Sequence, residues 1–255
     1  MKMLRNFTIR FVMLTILGIF CVMWAGVGLY STWSLSRVSD GNDVDRQLVR
    51  QMTVLSQGND QYFRFVTRLS RAMEVKAAGG TPDLAPAQQA LDNMSKKLAE
   101  MKAISPGPMD EKVSAQVIST WQALLDRGVT PQMAQAKQAT LEGYRQHANN
   151  VTPPLSRAFG SAAENFNNTA AKALDSTRVV VDGLTSMTRT VIITATIVGL
   201  LILLFTDRYL VAILVKPLDR IRQQFRQIAQ GDLSQPIESL GRNCVGQLVP
   251  LLSAM

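Results

Sequence analysis

Three arginines, Arg64, Arg68 and Arg71, stand four and three residues apart. That spacing places them on one face of a helix. A guanidinium presents a planar fork of donors that matches a carboxylate, so the row could clamp a small anion. The alternative reading of the same residues is a solvated charged face making weak surface pairs. Little else in the chain offers chemistry. Its one histidine, His147, has no partner motif of the serine–histidine–acid kind. The two cysteines, Cys21 and Cys244, lie outside the segment in which the arginines fall, so neither a disulfide framework nor a thiolate zinc site is expected there. No glycine-rich phosphate loop occurs. The expectation is a protein that binds rather than catalyses, with no metal and no cofactor.

The elements that position these residues begin with two apolar blocks, 11–32 and 190–206. An apolar helix of about 20 residues spans a bilayer. The second block is short and must recruit Thr190 and part of 207–215, or thin the membrane locally. The net charge is +8, but the excess is local. Lys2, Arg5 and Arg10 precede the first block, and Arg208, Lys216, Arg220, Arg222 and Arg226 follow the second. Between the blocks, residues 33–188 hold 17 basic and 15 acidic side chains, close to balance. Basic residues gather on the cytoplasmic flanks of membrane helices. Both termini are therefore expected in the cytoplasm and residues 33–188 outside it. This pattern points to a membrane lipid environment and away from nucleic acid. The first block could also be a cleavable signal peptide. It runs through Trp24 to Tyr30 without a clear small-residue cleavage site, so an uncleaved anchor is expected.

The segment between the blocks reads as helix throughout. Leu48, Met52, Leu55, Asn59, Tyr62, Val66, Leu69 and Met73 alternate steps of four and three, the seam of a bundle helix. Gly79-Gly80-Thr81-Pro82 ends it. A second helix is expected from an Asp83 N-cap, with the seam Leu84, Ala87, Leu91, Met94, Leu98 and Met101. A third starts near Asp110 with Val117, Trp121 and Leu124. Pro131 should kink or interrupt it, and it should resume over 134–141 and end at Glu142-Gly143. A loop through 149–151 then leads to Thr152-Pro153-Pro154. There a fourth helix, with the seam Phe159, Ala163, Phe166, Ala170, Ala173, Thr177, Val181 and Leu184, runs into the second apolar block. Short connections force antiparallel neighbours. The expected fold is all-α: two transmembrane helices flanking a periplasmic up-down-up-down four-helix bundle.

Beyond the second block, Leu214, Leu218, Ile221, Phe225 and Ile228 form another seam, stopped at Gly231-Asp232-Leu233. After the connector 234–237, Val245, Leu248, Leu252 and Met255 begin a further one. Two such helices cannot bury themselves alone and are expected to pair with a second copy; a helix lying on the membrane surface is the alternative. Lys216-Pro217-Leu218, IAQGDLSQPI and GRNCVGQL together resemble a HAMP helix–linker–helix. With TRLSRA at 67–72, LLDRGVTPQM at 124–133 and VTPPLSRAF at 151–159, the whole chain resembles the N-terminal half of a bacterial methyl-accepting chemotaxis receptor of the aspartate/serine type. The resemblance implies these domains: cytoplasmic N-terminus 1–10, transmembrane helix 11–32, periplasmic ligand-binding bundle 33–188, transmembrane helix 189–210 and HAMP 211–255.

For function, the resemblance implies a homodimeric inner-membrane chemoreceptor. It would sense an amino acid or carboxylate and pass a helix displacement to HAMP. In that family, basic residues on the first helix and a threonine heading the fourth hold the ligand. Arg71 matches one basic position through Leu69-Ser70-Arg71, and Thr152 matches the threonine; Arg64 and Arg68 are candidates by chemistry alone. Cys244 stands where HAMP usually has an acid. The chain stops at Met255, so the methylation helices and the tip that binds the CheA kinase and CheW adaptor are expected only in a full-length relative. The alternatives are the sensor half of a HAMP-containing histidine kinase, and a truncated receptor that acts by mixed dimerisation.

Overall fold

The structure is a computed structural model that describes residues 9–138 and 140–216, with some positions between 218 and 230. Most of the expected HAMP segment, Cys244 included, lies outside the described residues. Among the described residues there is helix and no strand. In chain order the elements are α1 (Ile9–Ala77), α2 (Ala85–Ile104), α3 (Glu111–Ala123), a wide helical turn (Leu124–Val129), α4 (Thr130–Gln138), α5 (Leu141–Asn150), α6 (Thr152–Leu210) and a second wide turn (Val211–Val215). They form two compact units, Arg37–Gly183 and the residues up to Ser36 with those from Leu184.

The Arg37–Gly183 unit is an up-down-up-down four-helix bundle whose third helix is α3, the wide turn and α4 in succession. Its core is one cluster to which every helix contributes its apolar stripe. Trp121, Phe65, Phe159, Phe166, Leu48, Leu55, Leu69, Met94 and Met101 are fully buried. Five of the six α2 seam residues are buried, from Ala87 to Met101, and Leu84 partly so. On α1 the buried stripe is broader than the seam read from periodicity. Gln51, Gly58 and Phe65 face the core, while Met52, Asn59 and Val66 are only partly buried. A helix packed against two neighbours buries more than a two-position seam.

Helix ends follow local chemistry. Gly79 takes φ +83° and terminates α1, a backbone region open to glycine. The α2 cap falls on Leu84, not Asp83, although the Asp83 carboxylate still accepts the Ala85 N–H at 3.0 Å. Asp110 caps α3 by accepting the Val113 N–H at 3.1 Å. The third bundle helix departs from expectation. It does not break at Pro131 but widens just before it, because a wide turn accommodates the proline's missing N–H and its ring without leaving the helix. The chain expected to be a loop after Gly143 is instead α5. Thr140 starts it by accepting the Gly143 N–H at 3.3 Å, an N-cap that overrides the glycine.

The other unit consists of the apolar ends of α1 and α6. Both stretches are long and apolar enough to cross a membrane. Their large apolar side chains face outward, with Val22 74% and Leu29 75% exposed, as lipid-facing residues would be. Gly199 lets Phe20 and Met23 approach, and the Ser34 and Thr188 hydroxyls hydrogen-bond at 2.6 Å.

A Cβ built at Gly58 would collide with the six-membered ring of Trp121. Overfilling a packed core costs about 1–3 kcal/mol. Gly58→Ala should therefore lower the melting midpoint of the chain in bilayer nanodiscs, and Trp121→Phe in the same chain should recover part of the loss. An unchanged midpoint in Gly58→Ala would show that the ring does not occupy that space.

Candidate functional site

The ends of α1, α4, α5 and α6 that lie away from the α2–α3 connection surround an open cleft of about 640 Å³. Tyr62, Ser70 and Glu74 line it from α1, Tyr144, Arg145 and Asn149 from α5, and Thr152 and Arg157 from α6. Local sequence sets this geometry. Only Val151 separates α5 from α6, and its N–H donates to the His147 carbonyl at 3.0 Å. Pro153 and Pro154 then sit in the first turn of α6, where the missing N–H groups would have had no partner in any case. His147 is tied down as well, its Nε2 lying 2.9 Å from the Gly128 carbonyl.

The floor of the cleft is polar and closed by hydrogen bonds. Thr152 and Gln132 are each only 3% exposed, and the Thr152 hydroxyl donates to Gln132 Oε1 at 2.8 Å. The wide turn brings Gln132 to this position: an extra residue in a helical turn rotates the remainder of the helix by roughly 100°. Burial pushes the Tyr144 phenol above its ordinary value; a hydrogen bond with Gln132 pulls the other way, and the Glu74 carboxylate adds to the rise. One glutamine thus joins α4, α5 and α6.

The sequence-derived site residues are distributed differently. Thr152 lines the cleft, with its hydroxyl proton already engaged by Gln132. Arg64 is exposed and pairs with Asp60 at 2.6 Å. Arg68 donates to the Pro86 carbonyl at 3.0 Å. The Arg71 side chain is exposed and makes no hydrogen bond or ion pair among the described residues. None of the three arginines lines the cleft. Sequence reasoning missed Glu74, Gln132, Tyr144, Arg145 and Arg157. Two of these, Gln132 and Arg157, lie in stretches whose resemblance was visible, and two on α5, which periodicity did not reveal. Among the described residues no group of three or more histidine, cysteine or acidic side chains could hold a metal ion.

A four-helix sensor bundle with a polar cleft at one end, whose first and last helices continue into apolar stretches, defines a receptor module. Residues 3–174 match the Tar ligand binding domain homologue family and residues 209–249 match the HAMP domain. The chain belongs to the Tar ligand-binding-domain family. It is also similar to a crystal structure from Salmonella enterica, the N-terminal ligand-binding domain of a protein described as a methyl-accepting chemotaxis protein. Identity is 65%, the TM-score is 0.52, and the match covers 52% of this chain and 98% of that one. The chain is thus a chemoreceptor-type ligand-binding bundle joined to HAMP, the architecture of a membrane-bound chemotaxis transducer. Modules of this kind transmit signals and are not typically enzymes.

Two outcomes are expected at the floor. Gln132→Leu leaves a buried hydroxyl without its acceptor and should cost about 1–3 kcal/mol; adding Thr152→Val should return part of it, because both polar partners are then gone. Denaturation of the two variants measures this. The second concerns alkaline pH. The folded state favours the protonated phenol of Tyr144, whereas an unfolded tyrosine ionises near about 10. Its contribution to stability is whole below that pH and is lost as pH rises through the raised folded value. Tyr144→Phe should flatten the alkaline fall in melting midpoint, and an unaltered fall would show that another group causes it.

Proposed function

We propose that this chain is an inner-membrane chemotaxis transducer that senses a small polar or anionic solute, an amino acid or carboxylate, in the periplasm. It spans the membrane at 11–32 and 189–210, exposes 33–188 to the periplasm, and keeps both 1–10 and the HAMP segment 211–255 in the cytoplasm. It acts as a homodimer. The ligand lies at the outer end of the bundle, where Thr152 lines the cleft, while Arg71, with Arg64 and Arg68 on the same face of α1 but outside that cleft, reaches it from the second copy of the dimer.

The observation that carries this reading is the open cleft at the head of α6, because α6 continues to Leu210 through the second apolar stretch. A ligand that changes the packing of Thr152 acts on the first residue of that helix. Arg71 is uncommitted, and the Arg64–Asp60 pair is exposed on both sides and so is weak enough to exchange for a ligand. A ligand biases the dimer only through different affinities for two states, and a small shift of α6 along α1 is the simplest such difference. Gly41 supports such a shift: a Cβ there would stand 2.6 Å from Val181 Cγ2, so the two helices run close together below the bundle core.

A thermal-shift screen of the chain in nanodiscs against amino acids and small carboxylates tests the reading. A ligand at 100 times its Kd stabilises the folded state by about 2.7 kcal/mol. At least one compound should raise the melting midpoint, and Arg71→Ala together with Thr152→Ala should remove the rise. If the rise survives in that double variant, the ligand binds elsewhere.

A further inference from the structure

In the apolar unit, α1 and α6 touch in two different ways. Phe20 and Met23 of α1 pack against the space above Gly199 of α6. Apolar contacts of this kind have no preferred direction, and lipid tails replace them at little loss. Ser34 and Thr188 meet through their hydroxyls instead, with the oxygens 2.6 Å apart and Ser34 only 2% exposed. Such a bond weakens steeply once its atoms separate by about 1 Å more or bend out of line. It therefore fixes where α6 stands along α1, which the apolar contacts leave free.

Neighbouring threonines show the alternative open to Thr188. Thr15, Thr32, Thr190, Thr196 and Thr206, on the same two helices, each donate their hydroxyl to the carbonyl four residues earlier, at 2.7–3.0 Å. That bond within the helix is a common resort of a threonine hydroxyl, which has two accessible χ1 rotamers there. The corresponding carbonyls are Leu184 for Thr188 and Tyr30 for Ser34, both inside the same helices. Either hydroxyl can turn about χ1 and bond its own helix. The bond across the pair is then exchanged for bonds within it, and no buried hydroxyl is left orphaned. A shift driven by a ligand needs two states of similar energy, because the ligand moves the equilibrium only by its differential affinity.

We propose that Ser34 and Thr188 form a releasable catch between α1 and α6. Bonded to each other, they hold α6 in one register; bonded back to the Tyr30 and Leu184 carbonyls, they free it to slide. The catch names the residues that set the resting position of the helix. It rests on the reading that α6 shifts along α1, and it is independent of which solute binds or where.

The test uses the full chain in bilayer nanodiscs without solute, carrying Cys21→Ala and Cys244→Ala. Nitroxide labels are attached at Leu29→Cys and Leu204→Cys, both exposed positions near opposite ends of the apolar pair. Excess unlabelled chain leaves one labelled copy in each assembly. Double electron–electron resonance then reads the separation of the labels, which a slide of α6 changes. Thr188→Val keeps the shape of the side chain and removes the hydroxyl; Thr188→Ser keeps the hydroxyl. In Thr188→Val the ratio of displaced to resting distances should rise about threefold, the worth of an interhelical hydrogen bond in a bilayer. Ser34→Ala should do the same, and both changes together no more than either alone, because a single bond is lost in all three. Thr188→Ser should match the parent. Circular dichroism of each variant checks that the helices remain. An unchanged distribution in Thr188→Val overturns the catch, and so does an equal change in Thr188→Ser, which would assign the register to packing. With no solute in the measurement, either result leaves the binding reading standing.

Discussion

The indole of Trp121 occupies the space that a side chain at Gly58 would need. That exchange sets how far α3 stands along α1, because neither helix can slide without driving a ring into a backbone. Phe159 of α6 meets the same indole with ring centroids 5.3 Å apart, so α6 packs against the core at this level. Interiors packed at crystal-like density transmit such a constraint along rigid helices. Gln132 lies 11 residues beyond Trp121, about 16 Å along a helix. Its position at the floor of the cleft is a consequence of that register together with the wide turn between them.

The cleft owes its character to its surroundings. A buried chain of hydrogen bonds from Thr152 through Gln132 to Tyr144 satisfies the polar groups beneath it, so the floor is stable without a ligand. The charged rim is satisfied differently. Its acid and its two arginines keep their charges available, where exposed pairs such as Arg64–Asp60 have already found each other. Arginines on a helix surface cost little to expose. Arg145 and Arg157 line the cleft, whereas Arg64, Arg68 and Arg71 do not.

Most of the architecture was legible because its causes are local. The α2 seam from Ala87 to Met101, the glycine stop at Gly79 and the Asp110 cap each follow from side-chain spacing or from one residue's backbone freedom. The misreadings have local causes too, of kinds that periodicity does not carry. Pro131 widened the helix ahead of it rather than breaking it, and Thr140 restarted a helix in a stretch whose glycine and asparagines suggested a loop. Missing α5 removed Tyr144 and Arg145 from view, and with them one wall of the cleft.

By itself, then, the sequence determined the four long helices, the two apolar stretches, the family and the threonine that heads α6, since period, composition and motif are properties of contiguous residues. It also showed an arginine row on α1 with the chemistry of an anion clamp. Only the tertiary structure decided which cations share a concave space with an acid. Glu74, Gln132, Arg145 and Arg157 are separated by up to 83 positions in the chain, and they meet because antiparallel packing returns α4, α5 and α6 to the C-terminal end of α1. Their juxtaposition depends on helix register, which the core sets and no single segment encodes.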